Sequence, residues 1–449
     1  AKESAERLGA RWLLVGTVHL MIGEKLSISV ELTQGDEIKW SNKWNEVAFK
    51  DLLRVQEDIA REVARKMGQT VPPTQIASVD PARLQHSPRE LKTSDSNQTR
   101  FLAARAEIPA QIPTENFRAW IAYLEGRQQW IKRTDEGLRL AREKFTQAVN
   151  LDANFALAYC YLAYVDMLMA VYIVDRPEVV MPRAKRAAQR ALHLNPQLGE
   201  AHAAMGYIQL LYDWDFTASR ASFEKAIRCN PNHAFTYCWF GQYFQVVKDD
   251  KKRLELTQMA IEREPLNPVI MTVHANSLKI NGKNEEAHAL VERAIENHPG
   301  CALPLKRRAL WYYTDKEYAK ALPLYRRIKA LHPDRIWAQA GEAMCLLKLG
   351  EGKDKARAVL DRILSEAGSG EAGQELIPPG LIIWIHRNLG ESEKAYRWVK
   401  HSVEHKYPLA AWLHSNDDDD EGSLPDRGRV NKILEPVGMQ EYKAGLGGK

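Results

Sequence analysis

Proline recurs in this chain at an almost constant interval, and that interval limits the folds available to it. Pro196, Pro231, Pro265, Pro299 and Pro333 are separated by 35, 34, 34 and 34 residues. Because proline lacks a backbone N–H and clashes with the preceding turn, each of them is expected to end a helix. Helix ends at this period predict a chain built from helical units of nearly equal length.

Alanine recurs at the same period. Ala191, Ala226, Ala260 and Ala294 stand five residues before the first four of these prolines, and Ile328 takes that place before the fifth. A small side chain lets two antiparallel helices approach closely, so these alanines predict the contact within each helix pair. One helical hairpin cannot bury its apolar face alone, and neighbouring hairpins must therefore stack into a solenoid.

Aromatic residues and glycine occupy further fixed places in the units. The segment TYCWFGQYF supplies Tyr237, Phe240, Gly241 and Phe244 to one first helix. Together with the alanine and proline positions, this pattern resembles the tetratricopeptide repeat (TPR) family, whose unit is 34 residues long. The resemblance implies a mainly α fold, a TPR-type α-solenoid that forms a superhelix of antiparallel helix pairs. In the second pair, the segment VDRPEVVMP is expected to lengthen the turn between the helices.

The first 68 residues lack the repeat and predict a small α/β unit. LSISVEL alternates apolar and polar residues, as a half-buried strand does, and WLLVGTVHLMI and KWSNKWNEV predict strands on either side. A helix is expected over residues 49–67. RLGARWLLVGTV, LSISVELTQGDEIKWSNKWN and FKDLLRVQEDIAREVARKM resemble the second half of the TolB-like (FlgO-like) domain. The resemblance implies a truncated unit whose earlier strands and helices precede residue 1.

Composition divides the chain into four parts. Six prolines and the run KTSDSNQT in residues 69–114 predict an extended or partly disordered linker. It separates the partial TolB-like domain, 1–68, from a solenoid of about eight helix pairs, 115–408. The tail or capping segment, 409–449, resembles the segment that follows the repeats in TolB-like proteins. Its run Asp417–Glu421 lacks the spacing of a calcium loop and predicts a solvated acidic turn.

Several classes of function are disfavoured by composition. The chain carries 63 basic and 58 acidic residues, a balance that does not favour direct nucleic-acid contact. Its five cysteines form no Cys-x-x-Cys pair, so neither a zinc ribbon nor a disulfide framework is predicted. The longest apolar runs are far shorter than the roughly 20 residues of a bilayer span. No phosphate-binding loop, nucleophile elbow or kinase motif occurs, and the segment is predicted to have no cofactor and to be non-enzymatic.

One motif points to metal chemistry. HSVEH fits the His-x-x-Glu-His order of inverted zinc peptidases, with His401 and His405 spaced to share a helix face. The residues that follow offer only Glu435 or Glu441 as a third ligand, in a segment with weak helical signals. An exposed face of the last helix pair is therefore the favoured interpretation. No metal site is predicted, and a zinc peptidase is kept as a remote alternative.

Function is therefore expected to come from the shape of a surface. In the TPR family the first helices line a concave groove, in which aromatic side chains suit an extended or helical peptide and Gln or Asn pairs with its backbone. The alternative is that the aromatic residues pack between helices, or against the α/β unit and linker. The resemblance transfers the groove positions to Leu157, Cys160, Tyr164, Tyr207, Leu211, Phe235, Cys238, Gln242, Gln245, Asn276, Lys279, Lys306, Tyr313 and Trp337.

The sequence thus predicts an interaction scaffold that binds a protein or peptide partner. TolB-like and repeat segments commonly follow a winged-helix transcriptional regulator, a Ser/Thr protein kinase or a nucleotide cyclase domain. The resemblance therefore implies the sensory or regulatory part of a larger bacterial protein. The unpaired cysteines favour the cytoplasm, with the outer side of a bacterial inner membrane as the alternative. The partner and the oligomeric state are not predicted.

Overall fold

A computed structural model describes eight segments of the chain, residues 13–21, 25–34, 37–48, 51–66, 113–333, 336–368, 379–408 and 427–434. Most of the predicted linker and the acidic run Asp417–Glu421 lie outside the described residues. The four domain boundaries therefore stay a prediction.

A three-stranded antiparallel sheet comes first, in the order β1-β2-β3. Its elements are β1 (Leu13–Met21), β2 (Lys25–Gln34) and β3 (Glu37–Ala48), followed by the helix α1 (Leu52–Lys66). The alternating residues of β2 share one buried face, with Ile28 and Leu32 at most 5% exposed. Ile28 lies opposite Val18 of β1 and Trp44 of β3. Val55 of α1 is buried in the same cluster, so the alternation in the sequence is the face of a small core.

The remaining helices form antiparallel pairs, each a first and a second helix. Their bounds are, in pair 1, α2 (Phe117–Lys132) and α3 (Asp135–Leu151); in pair 2, α4 (Ala156–Val171) and α5 (Pro177–Leu194); in pair 3, α6 (Gly199–Ile208) and α7 (Phe216–Cys229); in pair 4, α8 (Ala234–Val246) and α9 (Asp250–Arg263); in pair 5, α10 (Pro268–Ile280) and α11 (Asn284–Asn297); in pair 6, α12 (Ala302–Thr314) and α13 (Tyr318–Leu331); in pair 7, α14 (Ile336–Lys348) and α15 (Lys353–Gly368); and in pair 8, α16 (Pro379–Asn388) and α17 (Ser392–Glu404). The helix α18 (Arg427–Leu434) follows.

The periodic alanines lie where each second helix ends. The carbonyl of Ala226 accepts a hydrogen bond of 2.8 Å from the N–H of Asn230, and Ala260 accepts one of 3.1 Å from Glu264. The next residue is the periodic proline, which has no N–H to continue the helix. Ala191, Ala226, Ala260 and Ala294 are all fully buried. One residue type therefore supplies both the close contact and the last carbonyl of the helix.

Glycine permits the close approach of the two helices within a pair. A Cβ atom built on Gly206 of α6 would lie 3.1 Å from the ring of Phe223 of α7. The same contact joins Gly126 to Phe145 in pair 1, whereas Gly341 of pair 7 meets Tyr325 of the second helix of pair 6 and so permits close approach between two pairs. The predicted fold class, a TPR-type α-solenoid preceded by a small α/β unit, is confirmed by this arrangement.

The turn in pair 2 is shorter than the sequence predicts. The helix α5 begins at Pro177, so VDRPEVVMP lies partly in a helix and only residues 172–176 connect α4 to α5. Proline is favoured at the first position of a helix because the N–H that it lacks has no partner there. The turn of five residues is still longer than the three-residue turns of pairs 4 to 6, so the expected lengthening is present, but the segment is helical from Pro177 onward.

The sheet unit contacts the first helix of the solenoid. Phe117 of α2 is buried in one cluster with Ile28, Val30 and Val47, and the half-buried Trp120 packs against the same cluster. Within the described residues no helix pair precedes α2 to cover this face. The apolar face of the sheet takes the place that another helix pair would have.

Candidate functional site

The first helices contact one another from pair 1 to pair 6 and again between pairs 7 and 8. Lys306 of pair 6 and Trp337 of pair 7 join the two parts of this inner layer. Polar contacts between equivalent turns connect this layer. The hydroxyl of Tyr207 donates to Oε1 of Gln242 in the next pair at 2.6 Å. Nε1 of Trp311 donates to Oδ1 of Asn276 in the preceding pair at 3.4 Å. The inner layer is therefore the surface on which the sequence places the groove residues.

In pairs 1 to 4 the inner layer is filled by aromatic side chains. We call Trp130, Tyr164, Tyr207, Phe235 and Trp239 the aromatic layer, and each of them is at most 4% exposed. The ring centroids of Tyr164 and Trp239 are 4.8 Å apart, and those of Trp130 and Phe235 are 5.3 Å apart. Phe235 belongs to pair 4 and Trp130 to pair 1, so the layer closes across the curve of the solenoid.

Most groove residues predicted in these pairs are part of the core. Leu157, Gln242 and Gln245 keep partial exposure. The others contribute to packing between helices, as the alternative interpretation of the sequence describes. These buried residues are Cys160, Tyr164, Tyr207, Leu211, Phe235 and Cys238.

Burial in this layer also controls the ionisable groups. It raises the pKa of the Cys238 thiol to about 12 and the pKa of Cys160 well above its ordinary value. Both thiols are therefore protonated at neutral pH and are poor nucleophiles. Burial lowers the pKa of Arg133, whose guanidinium lies 3.7 Å from the centroid of the Trp130 ring. This stacking gives the buried cation a favourable contact.

The inner layer of pairs 5 to 7 carries exposed polar atoms. We call Asn276, Lys279, Lys306 and Trp337 the polar inner wall, and all four side chains are partly exposed. Nζ of Lys306 lies 4.8 Å from the centroid of the Trp337 ring. Nζ of Lys279 is 3.0 Å from Oδ2 of Asp315 in the next pair. These contacts hold a row of cationic, amide and aromatic groups along three repeats.

Tyr313, the remaining predicted groove residue, marks where the polar inner wall ends. Its side chain is 9% exposed, and its hydroxyl donates to Oδ1 of Asn388 in pair 8 at 2.8 Å. Its ring meets Trp384 edge to face, with 5.1 Å between the centroids. Tyr313 therefore ties pair 6 to pair 8.

Sequence reasoning missed several residues that organise the inner layer. Trp130 and Trp239 occur in the segments RQQW and CWF. The only sign of them in the sequence was the large number of aromatic residues in the first helices. Asp166 was also missed. It is buried in α4 and accepts from Nε of Arg142 and Nη2 of Arg183, each at 2.9 Å. This ion-paired cluster joins the second helices of pairs 1 and 2 to α4.

The two histidines of HSVEH lie at the end of α17. The ring centroids of His401 and His405 are 4.2 Å apart, and His405 is exposed. Within the described segments no group of three His, Cys, Asp or Glu side chains is placed to hold a metal ion. In the same part of the chain no helix is long and apolar enough to cross a membrane.

No family model and no curated protein matches the sequence. Among solved structures, the chain is similar to PilF of Pseudomonas aeruginosa, with 15% identity over 48% of this chain and 93% of that one and a TM-score of 0.36. Yeast Tom70 is 15% identical over 72% of this chain and 68% of its own, with a TM-score of 0.41. YrrB, described as a TPR protein with an unusual peptide-binding site, is 21% identical over 43% and 95%, with a TM-score of 0.29. The similarity is one of repeat fold, and the solenoid is assigned here from this chain's own helix pairs.

Proposed function

We propose that this chain is a protein–protein interaction scaffold that catalyses no reaction and binds a peptide or protein partner along the polar inner wall of pairs 5 to 7. One observation carries the proposal. Lys306 and Trp337 keep partial exposure, whereas Cys238 and Phe235 at the equivalent repeat positions of pair 4 are buried. Tryptophan is among the residues that dominate binding energy at protein interfaces, so a partly exposed Trp337 is a suitable anchor for a partner.

The spacing of the polar inner wall suits an extended or helical segment. Lys279 and Asn276 lie one turn apart on α10, and Lys306 lies on the neighbouring first helix. The amide group of Asn276 can hydrogen-bond to the backbone of a peptide. Lys306 can pair with an acidic side chain of that peptide, and Trp337 can contact an apolar one. The buried Tyr164 and Phe235 are unsuitable test positions, because their replacement would change the packing of the core as well as any surface.

Site-specific photo-crosslinking of the full chain tests the proposal. A photo-reactive phenylalanine analogue replaces Lys306 in one protein, and in the control it replaces Lys252, which is 47% exposed on the second helix α9. We expect a discrete crosslinked product from position 306 and none of the same mass from position 252. The product is expected to disappear when Trp337→Ala is added.

Two results would count against the scaffold. Equal crosslinking from both positions would show that contacts with other proteins are non-specific. A product from position 306 that is insensitive to Trp337→Ala would show that the partner does not lie on the polar inner wall.

We further propose that the scaffold is the regulatory part of a larger bacterial protein. Phe117 and Trp120 of the first repeat pack against the sheet unit. This contact supports the proposal, because it would connect the repeats to a further domain that packs against the sheet unit. If the proposal is correct, binding of a partner to pairs 5 to 7 changes hydrogen exchange in β2 and α2. Exchange that changes only in pairs 5 to 7 would leave the solenoid and the sheet unit uncoupled.

A further inference from the structure

One turn of the solenoid departs from the 34-residue repeat. The interval from Pro196 to Pro231 is 35 residues long, whereas the next three intervals are 34. The second helices of pairs 3 and 4 have the same length of 14 residues, so the additional residue belongs to the first helix and turn of pair 3. There Gln209–Asp213 form a turn of π-helix, and the N–H of Trp214 donates to the carbonyl of Gln209 five residues earlier. Such turns occur frequently at functional sites.

The residue that ends this turn has an unusual backbone conformation for its side chain. Trp214 has a φ of 57°, in the left-handed region. In the corresponding turns this conformation is adopted by Gly282 in pair 5, Gly350 in pair 7 and Gly390 in pair 8. Glycine adopts it freely, whereas a bulky side chain is disfavoured in it. Tryptophan therefore stands here at an energetic cost, which points to a role for its ring.

The orientation of the turn is fixed by two hydrogen bonds. Nε1 of Trp214 donates to the carbonyl of Leu211 at 3.2 Å. Nζ of Lys185, on the second helix of pair 2, donates to Oδ2 of Asp213 at 2.7 Å. Tyr212 and Trp214 stand on either side of Asp213 in the sequence, and both rings are partly exposed. The turn therefore presents two oriented aromatic rings at the surface.

The end of the last helix pair departs from the repeat as well. The second helices α7, α9, α11 and α13 each end in a residue with a φ between −132° and −141°. After α17 the chain instead turns at Lys406, which has a φ of 50°. The N–H of Lys406 donates to the carbonyl of Val403 at 3.2 Å, and the N–H of Tyr407 donates to the carbonyl of Ser402 at 2.9 Å. These two bonds fix the exposed Lys406 at the end of the helix.

These two irregular sites meet, although pairs 3 and 8 are five pairs apart along the chain. Nζ of Lys406 lies 5.1 Å from the centroid of the Tyr212 ring and 5.6 Å from that of the Trp214 ring. An ammonium group within about 6 Å of a ring centroid is attracted to the electrons on the face of the ring. The contact therefore joins the two ends of an arc formed by pairs 3 to 8.

We propose that Lys406, Tyr212 and Trp214 form a clasp that holds pair 8 against pair 3 and fixes the curvature of pairs 4 to 7. Two independent departures from the repeat lie on the two sides of one contact, and this coincidence supports the proposal. A cation–aromatic contact at an exposed site is weak, so the clasp can open while every helix pair stays folded. The polar inner wall lies within the arc, so a ligand that requires another curvature there would shift the clasp toward its open state. Only this last consequence depends on the proposed function.

Single-molecule energy transfer in the full chain tests the clasp. Two dyes are attached through p-azidophenylalanine at Thr217 of α7 and at Lys400 of α17, both of which are exposed. Lys406→Met removes the ammonium group and keeps an unbranched side chain. We expect the population with low transfer efficiency to grow about three- to tenfold, because contacts with two rings are lost. Lys406→Arg keeps the cation and is expected to leave the distribution unchanged.

Lys316→Met is the matched control, because Lys316 is exposed and has a left-handed φ of 63° at the end of the first helix of pair 6. It is expected to leave the distribution unchanged. Trp214→Gly introduces the residue of the corresponding turns, removes one ring and is expected to open the clasp as well. In the Trp214→Gly background Lys406→Met is expected to have a smaller effect, since one of the two rings is already absent. Circular dichroism checks that each variant keeps its helices.

Three results would overturn the proposal: an unchanged distribution in Lys406→Met, an equal change in Lys316→Met, or full additivity of Lys406→Met and Trp214→Gly. Each of them would show that Lys406 and the two rings do not hold pair 8 in place. The measurement needs no partner, so its failure leaves the polar inner wall to be tested by crosslinking at position 306.

Discussion

In pair 4, Phe235 and Cys238 are buried in the inner layer, whereas Trp337 of pair 7 and Lys306 of pair 6 keep partial exposure at the same repeat positions. The two regions share the alanine and proline positions that define each helix pair. They differ in whether the inner layer is closed by contacts across the solenoid, such as that between Trp130 and Phe235. The same repeat pattern therefore gives a buried inner layer in pairs 1 to 4 and a partly exposed one in pairs 5 to 7.

The comparison separates two tasks within one repeat. Small residues, as at Gly206 and Ala226, determine how closely two helices approach, and they are present in both regions. The inner positions of the first helix do not affect that contact, so they are free to be aromatic in one pair and basic in another. The helix contacts and the character of the inner surface thus depend on different positions of the same unit.

The largest expected effect comes from opening the aromatic layer. Tyr164→Ala removes a fully buried ring that contacts Trp239 and a hydroxyl that donates to the carbonyl of Glu200 at 2.9 Å. We expect the free energy of unfolding of this region to fall by about 3–5 kcal/mol. Trp337→Ala, in the polar inner wall, is expected to lower it by only about 1 kcal/mol.

Native-state hydrogen exchange is the appropriate measurement, because a repeat array need not unfold in one step. Amides of α4 should lose protection in Tyr164→Ala, and amides of α14 should change little in Trp337→Ala. Equal losses in the two variants would mean that pairs 5 to 7 are packed as tightly as pairs 2 to 4.

Ion pairs give a second and smaller contrast. Asp166 has a side chain only 4% exposed and binds Arg142 and Arg183, whereas Asp315, which binds Lys279, is 43% exposed. Removing one partner of a buried pair costs about 3–5 kcal/mol, and the partial exposure of both arginines reduces our expectation to about 2–3 kcal/mol for Asp166→Ala. Asp315→Ala is expected to cost about 0–1 kcal/mol. Urea unfolding of each variant, followed by circular dichroism, checks the difference, and a larger loss from Asp315→Ala would contradict it.

Much of the fold could be predicted from the sequence because its signals are local and repeated. Proline determines where its own helix ends, and alanine determines how closely that helix packs on its neighbour. The alternation in β2 determines which face of its own sheet is buried. Each of these patterns can therefore be recognised in a short segment of sequence. The inner surface could not be predicted in the same way. Whether Phe235 is exposed depends on Trp130, three repeats away, and therefore on the curvature of the whole solenoid.

The same reason explains which candidate site residues keep partial exposure and which are buried, while the role of all of them in binding remains a prediction. Lys279 and Lys306 are long and charged, and such side chains keep an exposed end wherever the chain curves. Tyr164 and Cys160 can serve a groove or a core equally well, and only tertiary packing decides between the two. Their role in binding stays a prediction, while their burial is a property of the fold.

A third prediction concerns the close contact between a glycine and an aromatic ring of a neighbouring helix, which occurs in both regions. A Cβ atom at Gly341 of α14 would overlap the ring of Tyr325, while a Cβ atom at Gly300 would meet nothing within 4 Å. Overpacking a core costs about 1–3 kcal/mol, and the higher helix propensity of alanine returns up to about 1 kcal/mol within a helix. We therefore expect Gly341→Ala to lower the free energy of unfolding by about 1–2 kcal/mol.

Gly300→Ala is the matched control, and we expect it to leave stability unchanged. Thermal unfolding of both variants would measure this. If Gly341→Ala proved neutral, the second helix of pair 6 and the first helix of pair 7 would be further apart than the contact of Gly341 with Tyr325 indicates.

The last expected effect is a pH dependence in pair 5, behind the polar inner wall. His274 is 4% exposed and its Nδ1 lies 3.0 Å from Oγ1 of Thr257, and burial lowers its pKa to about 4. In the unfolded chain the pKa of histidine is about 6.5, so between these values the unfolded state binds more protons. Stability is complete above pH 6.5 and falls as the pH decreases toward 4, by at most about 1.4 kcal/mol per pH unit from this residue. Urea unfolding at a series of pH values should give a shallower slope for His274→Gln than for the unaltered chain. If the free energy of unfolding had the same pH dependence in both proteins, His274 would be in contact with water. Pairs 5 to 7 would then be exposed to solvent between their helices as well as at their inner face.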